Sequence, residues 1–122
     1  MAGAGSVAYH GHSATVQIKG PNGQVHNVNI PFGKQQYSCP AGTNDKTEPL
    51  LIRMGRIKLT LKSVDAELNR IDKKYPGSHA PRKVVLRYNA DIRRGRRLVK
   101  AANATTDAYN AILDHDCTRA SR

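Results

Sequence analysis

A dense cluster of basic side chains marks the segment YNADIRRGRRLVK, residues 88–100. Cations three or four residues apart on a helix repel one another at a cost of about 0.2–0.5 kcal/mol per pair, so helix stability does not explain the cluster. Arginine forks bind phosphate and carboxylate groups in bidentate pairs, which indicates a surface for an anionic partner. At about 100° per residue, the cations that share one outward stripe are Arg93, Arg96, Arg97 and Lys100.

A second basic stretch lies earlier in the chain, within residues 53–62, and it contains no acidic residue. If the two stretches belong to antiparallel helices, residues 56–63 lie beside residues 93–100, and the two clusters meet at one height. The alternative is a solvated face whose charge only maintains solubility. The residues that we predict to bind a polyanion or an acidic partner are Arg53, Arg56, Lys58, Lys62, Arg93, Arg96, Arg97 and Lys100.

Cys39 and Cys117 are the only two cysteines. Both fall at the open end of the expected helical hairpin, so we predict that they form a disulfide bond. A disulfide implies an oxidising compartment, and the protein would then be extracytoplasmic, secreted or virion-associated. The alternative is a pair of free, buried thiols in a cytoplasmic protein.

Few other residues suggest chemistry. His10 and His12 with His26, or His115 within the run DHDC, contain metal-ligand types, but neighbouring residues of a helix cannot converge on one ion, and we expect no metal site. The chain contains no C-x-x-C motif, no phosphate-binding loop and no legible nucleophile–base arrangement. We therefore expect a non-enzymatic protein that has no cofactor and no small-molecule substrate.

Two long helices must position the cations. The first is predicted over residues 49–75, with Thr47 as its N-cap, and the second over residues 81–117, after the breaker YPGSHAP. Two heptad-patterned helices joined by a short turn form an antiparallel, coiled-coil-like hairpin. The second helix is the longer prediction and should extend past the first. The apolar positions are Leu50, Met54, Ile57, Leu61, Val64, Leu68 and Ile71, then Val85, Tyr88, Ile92, Gly95, Val99, Ala102, Thr106, Tyr109 and Leu113.

A β-hairpin is predicted over residues 13–32, because apolar and polar residues alternate on both sides of the turn sequence GPNG. Residues 1–12 read as a flexible N-terminus, and residues 33–48 as a connector rich in turn formers. The predicted fold is therefore α+β, a single domain over residues 13–122, in which the β-hairpin packs on the open end of the helical hairpin.

The formal net charge of +11 and the pI near 10.1 favour anionic partners. No apolar run reaches the roughly 18 residues of a membrane span, and the start of the chain shows no signal peptide. We expect a binding module for nucleic acid, another polyanion or an acidic protein. Two alternatives are an assembly subunit of a virion, appendage or envelope complex that uses exposed β edges and heptad faces, and an extracytoplasmic inhibitor or immunity-type protein. The sequence does not specify an oligomeric state.

Overall fold

The computed structural model describes residues 5–9, 13–20, 22–31, 37–77 and 79–119. The elements follow one another as strands β1 (Gly5–Tyr9), β2 (Ser13–Lys19), β3 (Val25–Pro31) and β4 (Tyr37–Ser38), helices α1 (Thr43–Lys74) and α2 (Arg82–Asp116), and strand β5 (Thr118–Arg119). The predicted α+β fold, a β-hairpin with a helical hairpin, is confirmed.

The predicted hairpin is formed by β2 and β3, which pair antiparallel so that Val16 lies opposite Val28. Gly23 adopts a positive φ of 80° in the turn, a conformation that glycine reaches without steric cost. Alternate residues of both strands are buried, as the sequence pattern predicts. Two residues of the predicted hairpin, Pro21 and Phe32, lie outside the described residues.

The structure adds a strand where a flexible terminus was expected. Gly5–Tyr9 pairs antiparallel with β2, so the sheet has three strands in the order β1-β2-β3. Val7 lies opposite Val16 and packs against the core from its partly buried position. The small residues around Val7 gave only a weak strand pattern. The tertiary contact with β2 and α1, which the sequence does not display, accounts for the difference.

The main core lies between the sheet and the N-terminal half of α1. Ala14, Val16 and Leu51 are almost fully buried there, and burial of a valine or leucine side chain contributes about 1.5–3 kcal/mol. Gly55 lets the sheet approach closely, because a β-carbon at this position would lie 2.9 Å from Val16 Cγ1. On α2, the half-buried Tyr109 packs against this cluster. The sheet therefore rests mainly on α1 and not on the last turns of α2.

Helix α1 begins six residues earlier than predicted, at Thr43, inside the predicted connector. Gly42 precedes it with φ at 93°, and Thr47 is not an N-cap but a buried residue of the second turn. Thr47 Oγ1 lies 3.3 Å from the Tyr9 hydroxyl, which joins α1 to β1. Pro49 lies within the helix. A proline usually marks the first turn, and that preference led the sequence prediction to a late start.

The antiparallel hairpin of α1 and α2 is confirmed, and all seven predicted heptad positions of α1 are buried or half-buried. On α2 the prediction was partly wrong, because Val85 and Val99 are exposed; Thr106 is exposed as well, although its hydroxyl contacts Met54 of α1. Each of them follows a residue of similar polarity, so the pattern did not distinguish neighbouring positions. The positions that face α1 at heptad spacing are Val84, Tyr88, Asp91, Gly95, Leu98, Ala102, Thr105, Tyr109 and Ile112.

At the open end, Cys39 and Cys117 form the predicted disulfide, across a sequence separation of 78 residues. The short strands β4 and β5 pair antiparallel beside it, with Ser38 opposite Thr118. The helices contain 32 and 35 residues, so the expected overhang of the second helix is absent from the described part of the chain. Because α1 begins earlier than predicted, its first turns lie beside the last turns of α2.

Candidate functional site

All eight predicted binding residues are exposed in the structure. Lys58 Nζ donates a hydrogen bond of 3.4 Å to the backbone oxygen of Asn29, so this ammonium group lies at the edge of β3. Arg56 lines a shallow depression together with Asp45 and Glu48. Among the described residues, the other members of the set have no acid within ion-pair distance: Arg53, Lys62, Arg93, Arg96, Arg97 and Lys100.

Two stretches without acidic residues face each other across the hairpin. Residues 49–64 of α1 and residues 92–106 of α2 contain neither aspartate nor glutamate. Thr106 Oγ1 lies 3.9 Å from Met54 Sδ near one end of these stretches, and a β-carbon at Gly95 would lie 3.8 Å from Val64 Cγ1 near the other. These two contacts pair Met54 with Thr106 and Val64 with Gly95, so the stretches overlap along about 15 Å of the hairpin. We call this region, residues 49–64 and 92–106, the cationic zone.

The cations of α1 divide between two flanks of the cationic zone. Residues two apart on a helix point about 200° apart, so Arg56 and Lys58 lie on opposite flanks. Lys58 lies beside the sheet, as its bond to Asn29 shows. Residues three or four apart share one face of a helix, so Arg53 lies on the flank of Arg56, and Lys62 lies on the flank of Lys58. The contacts of Gly95 with Val64 and of Thr106 with Met54 place residues 93–100 beside roughly residues 60–66, about one turn away from the predicted 56–63. The two basic groups therefore overlap in part along the hairpin, and the sheet covers the back of α1 between the two flanks.

The structure adds Arg94 to the cationic zone. Arg94 is exposed and lines a cleft of about 430 Å³ between the helices, where Thr60 and Ser63 present hydroxyl groups. It was missed because it falls outside the stripe shared by the other cations of α2 and points to the flank of Arg56. Once the facing positions of α2 are known, the heptad spacing places Arg87 and Arg94 on this same flank, seven residues apart.

Below the cationic zone, the cleft contains an interhelical pair of carboxyl groups. Glu67 accepts hydrogen bonds from Arg87 Nε and Nη2 at 2.8 and 2.9 Å, and Arg87 keeps the pKa of Glu67 below its ordinary value. Asp91 faces Glu67. This contact, together with burial, raises the pKa of Asp91. Asp91 Oδ2 is buried and accepts no hydrogen bond from the described residues. These acids mark the lower limit of the uniformly positive region.

The disulfide end carries its own ion pair. Asp116 accepts a hydrogen bond of 2.7 Å from Lys46 Nζ and contacts His115 Nδ1, and the contact with His115 is the larger cause of its lowered pKa. Within the described residues, no group of three or more His, Cys, Asp or Glu side chains is placed to hold a metal ion. His10 and His12, considered as metal ligands from the sequence, lie outside those residues.

No protein-family model matches the chain, and no curated protein or solved structure matches it either. In the described part of the chain, neither α1 nor α2 combines the length and apolar character that crossing a membrane requires.

Proposed function

We propose that this protein is a non-catalytic binding module whose cationic zone engages a polyanion. The observation that carries the proposal is that two acid-free stretches, distant in sequence, overlap along about 15 Å of the hairpin. The cations of the cationic zone are Arg53, Arg56, Lys58, Lys62, Arg93, Arg94, Arg96, Arg97 and Lys100.

The geometry favours an extended ligand over a small one. The cations are spread along about 20 Å of the hairpin and point to more than one side of it, so no single small anion could contact most of them. A chain or duplex with repeated phosphates or carboxylates could contact several at once. Duplex nucleic acid is the ligand class that we propose to test first, because its phosphates are regularly spaced and its affinity for cations depends measurably on salt.

The described residues offer little for reading a base sequence. Arginine and lysine side chains on an open helix surface bind phosphates, whereas stacking on single strands needs clustered, exposed aromatic rings. The whole chain contains no tryptophan, one phenylalanine and five tyrosines that are scattered along the sequence. We therefore expect binding with little sequence preference and with an affinity that falls steeply as salt rises.

The test is a fluorescence-anisotropy titration with labelled duplexes of two unrelated sequences. Charge reversal of Arg93, Arg96 and Arg97 to glutamate is expected to abolish binding without loss of helicity. The matched control reverses Lys73, Arg82 and Lys83, which are exposed near the turn and change the net charge equally. If both triple variants lose affinity to the same extent, overall charge and not the cationic zone drives binding, and the proposal is wrong.

An acidic protein is the second ligand class for the same surface. Competition of the bound duplex by polyglutamate distinguishes the two classes. If polyglutamate displaces the duplex at equal charge concentration, an acidic protein partner is supported. If only phosphate polymers compete, nucleic acid is supported.

We further propose that the protein works in an extracytoplasmic or other oxidising compartment. The disulfide between Cys39 and Cys117 supports this location, because such bonds are rare in the reducing cytoplasm. The mass of protein isolated from its source, before and after reduction, tests the bond. An increase by the mass of two hydrogen atoms supports the proposal, and an unchanged mass contradicts it.

A further inference from the structure

The outer edge of β1 is unpaired within the described residues. The sheet order β1-β2-β3 leaves β1 as an edge strand, and no other described strand lies beside it. An unpaired strand edge presents backbone donors and acceptors that can pair with another strand.

The register shows which backbone groups point outward. Gly20 N donates to Gln24 O at 2.7 Å, and this pair continues the β2–β3 register, in which Val16 lies opposite Val28. Because hydrogen-bonded pairs alternate along antiparallel strands, the even-numbered residues of β2 bond to β3 and the odd-numbered ones bond to β1. Ser6 and Ala8 oppose odd-numbered residues and therefore bond to β2. The outward-pointing residues of β1 are Gly5, Val7 and Tyr9.

The opposite edge of the sheet, on β3, is protected. Lys58 Nζ bonds to the Asn29 oxygen there, and Pro31 has no N–H group to donate. Lysine and proline are the residues by which natural sheets prevent pairing of an edge. Strand β1, with the sequence GSVAY, has no charged residue and no proline. Among the described residues, one edge of the sheet is therefore blocked and the other has no pairing strand.

We propose that β1 pairs antiparallel with β1 of a second copy of this chain, across a twofold axis at Val7. In this register Val7 lies opposite Val7 of the second copy, and Gly5 lies opposite Tyr9. Each outward N–H of these three residues then meets an outward carbonyl. The two three-stranded sheets become one sheet of six strands.

Charge favours this edge as the place where two copies meet. The chain carries a formal net charge of +11, so most of its surface repels a second copy. β1 contributes no charge to the contact, and its outer-face side chains, Ser6 and Ala8, are small enough to permit close approach. A second copy also supplies an identical uncharged edge with matching spacing of donors and acceptors.

The twofold pairing places both helical hairpins on the same side of the sheet. Val7 packs toward α1, and opposite residues of paired strands share one face, so both copies direct α1 to that face. Two cationic zones then lie on one side of the dimer. The pairing itself does not depend on polyanion binding and can be tested in its absence.

The first test measures molar mass by light scattering over a range of protein concentrations, in salt high enough to screen repulsion. The wild type is expected to reach the mass of a dimer, and Val7→Pro, which removes the central outward N–H, is expected to remain a monomer. Asn27→Pro makes the same change on the outward side of β3 and should still dimerise. A wild type that stays monomeric, or a folded Val7→Pro that still dimerises, overturns the proposal.

The second test does not depend on a proline variant that folds. Ser6 of one copy and Ala8 of the other would be directly opposite at a non-hydrogen-bonded pair, where side chains lie closest. Mild oxidation of the double variant Ser6→Cys, Ala8→Cys should give a covalent dimer that links position 6 to position 8. Each single variant should not cross-link, because identical positions lie too far apart for a disulfide. Absence of the 6–8 link in the double variant overturns the register.

Discussion

Glu67 and Arg87 form a side-on pair across the helical hairpin, in which the two carboxylate oxygens accept hydrogen bonds of 2.8 and 2.9 Å from Nε and Nη2. This pair joins α1 to α2 below the cationic zone. The Arg87 guanidinium also balances the charge of Glu67, which is the first acid of α1 that lines the cleft below the cationic zone. The Arg87 side chain is 69% exposed and that of Glu67 is 22% exposed, so solvent screens the pair and its contribution to stability is small.

Asp91→Asn is expected to raise the melting temperature at neutral pH. The folded-state pKa of Asp91 lies above the ordinary value of 3.8, so ionised Asp91 penalises the folded state at neutral pH, and the penalty disappears as the pH falls below that ordinary value. Asparagine donates to Glu67 without a charge. The stability gain, measured by circular dichroism, should therefore shrink on acidification.

The control for this measurement is Asp65→Asn, at an exposed position of α1. It should leave the melting temperature nearly unchanged at both pH values. A less stable Asp91→Asn at neutral pH would show that the carboxylate is needed as an acceptor and would contradict the expectation.

Gly55→Ala and Gly95→Ala are expected to change stability in opposite directions. At Gly55 the new methyl group would meet Val16 Cγ1 at 2.9 Å and Ile18 Cδ1 at 3.0 Å, and overpacking of this kind costs about 1–3 kcal/mol. At Gly95 it would meet Val64 Cγ1 at an ordinary 3.8 Å, so the better helix propensity of alanine should stabilise by about 1 kcal/mol. Urea unfolding of both variants measures the two effects, and equal signs would contradict the close approach of the sheet to α1.

Replacing Cys39 and Cys117 with serine is expected to destabilise the fold by about 4 kcal/mol in the chain-entropy description of a loop of this length. The expected loss is large because the bond joins positions 78 residues apart. Urea unfolding of the double variant, compared with the oxidised wild type, measures it. Reduction of the wild type should reproduce the loss. Coinciding unfolding curves of the oxidised wild type and the double variant would contradict it.

Arg94→Gln is expected to weaken duplex binding and to reduce its dependence on salt. Each phosphate contact contributes about 0.9 to the slope of log affinity against log salt, so the loss of one contact should lower the slope by about that amount. Arg70→Gln is a suitable control, because Arg70 is exposed on the same flank but lies outside the cationic zone. An unchanged slope for Arg94→Gln would exclude Arg94 from the binding surface.

Much of the fold could be predicted because its signals are local. The alternation in β2 and β3, the heptad positions of α1 and the breaker between the helices each follow from neighbouring residues. Strand β1 and the early start of α1 could not be predicted, because Val7 and Thr47 derive their stability from contacts distant in sequence. The sequence of α2 did not determine which face meets α1, because Leu98 and Val99 fit a heptad equally well. Only the packing shows that Leu98 is the half-buried residue.

The sequence predicted most cations of the candidate site but not how they are distributed over the surface of the hairpin. Antiparallel pairing of the helices brings the two basic stretches into partial overlap, about one turn away from the predicted register. The separation of Arg56 from Lys58 depends on where the sheet covers α1, and the position of Arg94 depends on which face of α2 meets α1. Both follow from tertiary packing, which a single sequence does not display.

The bond between Cys39 and Cys117 encloses both helices in one covalent ring and leaves the sheet of β1, β2 and β3 outside it. A protease that cuts the exposed turn at Pro76 and Gly77 would therefore open the ring without separating the two pieces. The nicked molecule would keep α2, with its arginines, tethered to the rest until a reductant released it. In an oxidising environment, a single cleavage between the helices would therefore not release the cations of α2 from those of α1.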